Sequence, residues 1–202
     1  MSAGAGKSAA FLRARRPEQK QLKYFGTRAE IFLRLAEAEW LDWADAAVAR
    51  LATVTGADEM AGVLARSLAE RPLLCQLLTH ASLTLERNVS PHALRRSKAA
   101  AVRSTDVVAE AIHRLLPDLD RQSCLELVGA TALIAAGLWQ AANPPPAVRA
   151  RYAEQSSPAS FGRPAALDMT AELSRFVRVF RAGLGSVPAR PHPESGKDMR
   201  PG

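Results

Sequence analysis

The stretch from Cys124 to Ala142, "CLELVGATALIAAGLWQAA", constrains the fold more than any other. It is nearly apolar all round and too regular for a loop. A helix of that kind in water has to be covered on several sides. It is therefore either the centre of a helical domain or half of a subunit interface. Its longest apolar run, Leu127 to Trp139, is thirteen residues. That is too short to span a bilayer, so no membrane is expected.

The rest of the chain supplies helices to cover it. Thr27-Arg28-Ala29-Glu30 fits a capping box and predicts a helix from Thr27 to about Thr53, stopped by Thr55-Gly56. Phe32, Ala36, Trp40, Trp43, Ala47 and Leu51 recur along it at helical spacing. A second helix is predicted over about 58–70. Pro72 opens a third, to about Arg87. Ser90-Pro91 opens a fourth, to about Leu116, with Leu94, Ala101, Thr105, Val108, Ile112 and Leu115 on one face. Asp120 caps the apolar helix, and the prolines after Asn143 end it. A short helix is expected near 147–154 and a loop over 155–167. Asp168 caps the last helix, whose stripe is Leu173, Phe176, Val177, Phe180 and Leu184. No alternating run of strand length occurs. The fold class expected is all-α, six to seven helices and no sheet.

Charge divides the chain unevenly. Residues 1–34 carry eight Lys/Arg against Glu18 and Glu30, a net +6. The other 168 residues carry nineteen bases against eighteen acids, a net +1. A basic arm followed by a near-neutral body suits a nucleic acid or another anionic surface. The expected organisation is a mostly disordered basic leader over 1–26, a helical domain over 27–186 and a disordered tail over 187–202.

Little in the sequence supports catalysis. "GAGKS" at residues 4–8 fails the phosphate-loop spacing, since the first glycine would fall on Met1. His80, His92, His113 and His192 make no metal spacing with each other or with the cysteines. Cys75 and Cys124 sit inside apolar helical patterns and read as buried thiols in a reducing compartment. No enzyme activity, cofactor or metal is expected, and a cytoplasmic location follows.

"LKYFGTRAEIFLRL", residues 22 to 35, resembles a junction found in the TetR family of bacterial transcriptional regulators. There an aromatic-rich turn ends the DNA-recognition helix and opens the next long helix. Here Tyr24, Phe25, Gly26, Thr27, Arg28 and Glu30 match it. "ARSLAERPLLCQLLTHASLTLERNVSPHALRRSK" and "GLWQAANPPPAV" also look like one branch's effector domain. The resemblance implies a ligand-responsive repressor that binds DNA as a homodimer. It implies a four-helix dimer interface built from the helices at 120–142 and 168–184. Leu127, Ala135, Leu138, Leu173, Phe176, Val177, Phe180 and Leu184 are the residues expected there. It also implies a cavity for a small apolar effector, for which Trp43, Leu78, His80, Thr105 and Trp139 are the candidates.

One departure bears on DNA. The family's reading head needs three helices ahead of the turn, and only twenty-one residues precede Leu22. The expectation is a truncated helix-turn-helix, with DNA binding weak and mainly electrostatic. Lys23, Tyr24 and Arg28 are the expected phosphate contacts, which position a protein but read no sequence. The alternative is an effector-binding dimerisation module that acts through heterodimers with a full-length paralogue.

Overall fold

The structure is a computed structural model that describes residues 16–80, 89–154 and 167–186. The leader up to residue 15, the stretch 81–88, the loop 155–166 and the tail from 187 lie outside the described residues.

Seven helices and no strand make up the described residues: α1 (Arg16–Leu51), α2 (Ala57–Ala69), α3 (Pro72–His80), α4 (Pro91–Leu115), α5 (Arg121–Ala142), α6 (Pro146–Glu154) and α7 (Met169–Leu184). The all-α expectation holds. Three predicted caps form as expected. Ser90 Oγ accepts from Ala93 N at 3.3 Å, Asp120 Oδ1 from Ser123 N at 2.9 Å and Asp168 Oδ1 from Ala171 N at 3.0 Å. Each satisfies one N–H that a first turn leaves free.

Thr27 does not open a helix. Thr27 lies inside α1, which runs unbroken from Arg16. Pro17 suits a first turn, and "EQKQLK" after it are good helix formers. One interior glycine, Gly26, costs about 1 kcal/mol and does not stop a helix so favoured. The helix therefore crosses the expected boundary between residues 26 and 27. Glu30, the supposed box partner, reaches a different helix: its Oε1 accepts from Ser90 N at 3.1 Å.

A second tie lies one stage further along. Both carboxylate oxygens of Glu37 accept from Arg96 Nη2, each at 2.9 Å. Since Glu30 meets Ser90 and Glu37 meets Arg96, α1 and α4 run in the same direction. Small residues let the two approach closely: Ala29, Ala36, Ala44 and Ala47 are buried on α1, and Ala100, Ser104 and Ala109 on α4. The buried face of α4 is thus partly rotated from the expected one. Val108 and Ile112 keep their places, while Ala100 and Ser104 replace Ala101 and Thr105.

α5 is the centre. It packs against α2, α3, α4 and α7, and α7 lies across α2 and α5. Trp43, Met60, Leu64, Leu68, Leu74, Ile112, Leu127 and Leu173 are fully buried in one cluster. At 22 residues, α5 is longer than the apolar run read from the sequence, and by length and composition alone it could cross a membrane. Here its inner face is part of the core.

Candidate functional site: an apolar outer face and a polar cleft

α5 turns Cys124, Leu127, Val128, Thr131, Ala132, Ala135 and Ala136 inward. On its outer side Leu133 is 75% exposed and Ile134 37% exposed. Gly137 follows, also exposed, and a Cβ placed there would meet nothing within 4 Å. On the neighbouring α7, Leu173, Ser174 and Val177 point inward, while Val179 is 65% exposed, with Ala182 and Gly183 open beside it. Arg175 and Arg178 also lie on the exposed side of α7. Arg175 pairs with Glu172 at 3.9 Å and Arg178 with Asp58 at 3.9 Å. Large apolar side chains in water beside small residues are the composition of a surface that another helix can approach.

The expected interface set divides in two. Leu127, Ala135, Leu173 and Val177 are enclosed within the chain itself, so they support the outer face from behind. Leu138, Phe176, Phe180 and Leu184 are half-buried and pack on the core. Phe176 and Phe180 stack with ring centroids 5.5 Å apart and planes 12° apart. Leu133, Ile134 and Val179 were absent from the set. An all-apolar helix has no phase to read, and Val179 lies on the arginine-bearing side of α7.

The five candidates for an effector cavity are placed as follows. Trp43 is fully buried and donates from Nε1 to Ser67 Oγ at 3.0 Å. Leu78 and Trp139 are half-buried against the same core. Thr105 donates its hydroxyl to the Ala101 carbonyl one turn back, at 2.9 Å. His80 is exposed at the end of α3.

A cleft of about 290 Å³ opens elsewhere, between the ends of α1 and α2 and the start of α3. None of the five lines it. Two ion pairs cross it. Arg50 Nη2 lies 2.7 Å from Glu70 Oε2, and Arg71 Nη1 lies 3.5 Å from Glu39 Oε2. Arg71 Nη2 also donates to the Asp42 carbonyl at 3.0 Å. Ser67, buried, and Ala46, half-buried, line the inner wall, and Pro72 and Leu73 the rim. Glu39, Ala46 and Arg50 come from α1 and Ser67 from α2, while Glu70 to Leu73 form the turn into α3, so half of the lining is contiguous and half is brought to it by docking.

At the other end of α1, Arg28 is exposed and its guanidinium lies over the Phe32 ring, 5.7 Å from the centroid. The side chains of Lys23 and Tyr24 lie outside what is described. Burial pushes the thiols of Cys75 and Cys124 up to about 11, with the charges of Asp120 and Glu110 adding to the effect at Cys124. Among the described residues no group of three or more His, Cys, Asp or Glu is placed to hold a metal ion.

Residues 37–187 match a family model described as "Tetracyclin repressor-like, C-terminal domain". No curated protein gives a significant match to the chain.

Proposed function

Because the chain belongs to the tetracyclin repressor-like family through its C-terminal domain, we propose that it is a ligand-responsive transcriptional regulator that works as a homodimer in the bacterial cytoplasm. The family is one of regulators rather than enzymes. The observation that carries the reading is the outer face of α5 and α7, where Leu133, Ile134 and Val179 stand in water beside Gly137 and Gly183. A second copy of the chain would cover that face. Its two helices and their mates would form a four-helix seam.

DNA binding in this reading is weak and mainly electrostatic. Two observations support that. Arg28 is exposed at the basic end of α1, and among the described residues α1 is one continuous helix through Gly26 and Thr27, with no helix-turn-helix. The same continuity favours a second reading, a dimerisation module that pairs with a full-length paralogue and reads no DNA itself.

A salt titration on duplex from upstream of the gene and on random duplex tests both. The expected result is equal affinity on the two, with log K falling by about 0.9 per phosphate contacted as log salt rises. A preference of about a thousandfold for one sequence would overturn the weak-binding part. A chain that is monomeric and holds no duplex at any salt would overturn the regulator reading.

A further inference from the structure

The cleft between α1, α2 and α3 carries a chemistry that the apolar core does not. Its lining holds two cations, Arg50 and Arg71, and two anions, Glu39 and Glu70, so its formal charge cancels. Each wall presents both signs. A simple anion there gains one guanidinium and meets a carboxylate beside it, and a simple cation fares no better. A molecule with both charges can open one protein–protein pair and meet each of its two members with the opposite charge, which leaves no charge unmatched. The exchange is cheap on the Arg50–Glu70 side, where the side chains are 45% and 55% exposed, because such exposed pairs hold with only about 0–1 kcal/mol. The rim adds an apolar contact, since Leu73 is 39% exposed.

Size narrows the class further. At about 290 Å³ the cleft lies at the small end of ligand pockets, which run from about 300 to 1,000 Å³, so it suits a small molecule. We propose that the cleft is a binding site for a small zwitterion of amino-acid size, bearing one carboxylate, one ammonium and a short apolar body. The carboxylate meets Arg50, the ammonium meets Glu70, the Arg71–Glu39 pair stays closed beside them, and the apolar body lies on Ala46, Pro72 and Leu73. This names an effector class for the regulator above and rests on that reading for the word effector. The binding itself does not. The cleft also joins α1 to α3, so a ligand in it would bear on both helices.

Calorimetric titration of the full chain tests it, with leucine and γ-aminobutyrate as zwitterions of two charge spacings. N-acetyl-leucine, which lacks the ammonium, and leucinamide, which lacks the carboxylate, are the comparators. At least one zwitterion is expected to bind at least tenfold more tightly than either comparator. Arg50→Gln and Glu70→Gln should each weaken it at least tenfold while circular dichroism and thermal unfolding stay those of the parent. No binding by either zwitterion, equal binding by the comparators, or binding that both variants leave intact would each overturn the proposal. No DNA and no dimer enters this readout. Its failure leaves the regulator reading standing, and zwitterion binding by a monomer that ignores DNA leaves the site standing.

Discussion

Trp43 Nε1 donates to Ser67 Oγ at 3.0 Å, and Ser67 Oγ donates in turn to the Leu64 carbonyl at 2.9 Å. Both residues are buried, so the relay is how the more deeply buried of the two tryptophans of α1 satisfies its only polar atom against α2. Ser67→Ala should cost about 1–3 kcal/mol in denaturant unfolding, because it leaves an indole N–H buried and unmatched. Trp43→Phe adds a packing loss, but the double variant should cost less than the two singles summed. Strict additivity would mean that the hydrogen bond contributes nothing.

Leu133→Asp and Val179→Asp test the outer face. Both positions are largely exposed in the single chain, so the helical fold should survive. In a dimer either change shuts an unpaired charge into an apolar seam, which costs several kcal/mol and should weaken association at least about a hundredfold. Sedimentation velocity reads it directly. Val102→Asp, on the equally open surface of α4, should leave the dimer intact. A parent chain that already sediments as a monomer defeats the assignment.

Acid should loosen the chain through three carboxylates at its surface, Glu30 half-buried and Glu59 and Asp120 exposed. Hydrogen bonds from the Ser90 hydroxyl and N–H hold Glu30 below the usual range, the Thr55 N–H does the same for Glu59, and the Ser123 hydroxyl and N–H for Asp120. A depressed folded-state pKa means stability that is present above the ordinary carboxylate range, about 4, and lost as pH falls through the lower folded value. The melting temperature should therefore drop below about pH 4. The combined variant Glu30→Gln, Glu59→Gln, Asp120→Asn should show a shallower drop, Asn still serving as an N-cap. Equal slopes in parent and variant would remove these carboxylates from the account.

Cys75 and Cys124 are fully enclosed and their thiols are pushed up to about 11. A water-soluble thiol reagent near neutral pH should label both only as fast as the chain opens, since the thiolate is the reactive form. Labelling should accelerate with denaturant for the two together. Rapid labelling of either one in the native chain would place it nearer the surface than the core described.

The parts of this molecule that were legible in its sequence are those fixed by neighbours in the chain. Asp120, Asp168 and Ser90 cap helices because a short polar side chain reaches the N–H three residues on, and that geometry is local. Thr27 satisfied the same rule and lost. Nothing upstream of it broke the helix, and continuing through one glycine cost less than stopping. The outward phase of α5 was unreadable for a different reason: with apolar residues on every side, only the packing of α2, α3, α4 and α7 decides that Leu133 faces out and Leu127 in. The cleft was invisible because Glu39 and Arg50 of α1 reach the Glu70-Arg71 turn only after α1 has docked on it.

The packing of α7 across α2 also bears on when the chain can finish folding. α2 ends at Ala69 and α7 begins at Met169, so a ribosome adding about 5–20 residues per second leaves α2 waiting on the order of 5–20 s for its partner. Until then Met60, Leu64 and Leu68 have their places but lack Leu173 and Val177 against the shared core. Val179, on the outside of that same late helix, emerges with the piece that closes the interior. The exposed apolar surface of α5 and α7 is therefore completed by the same event that seals the domain.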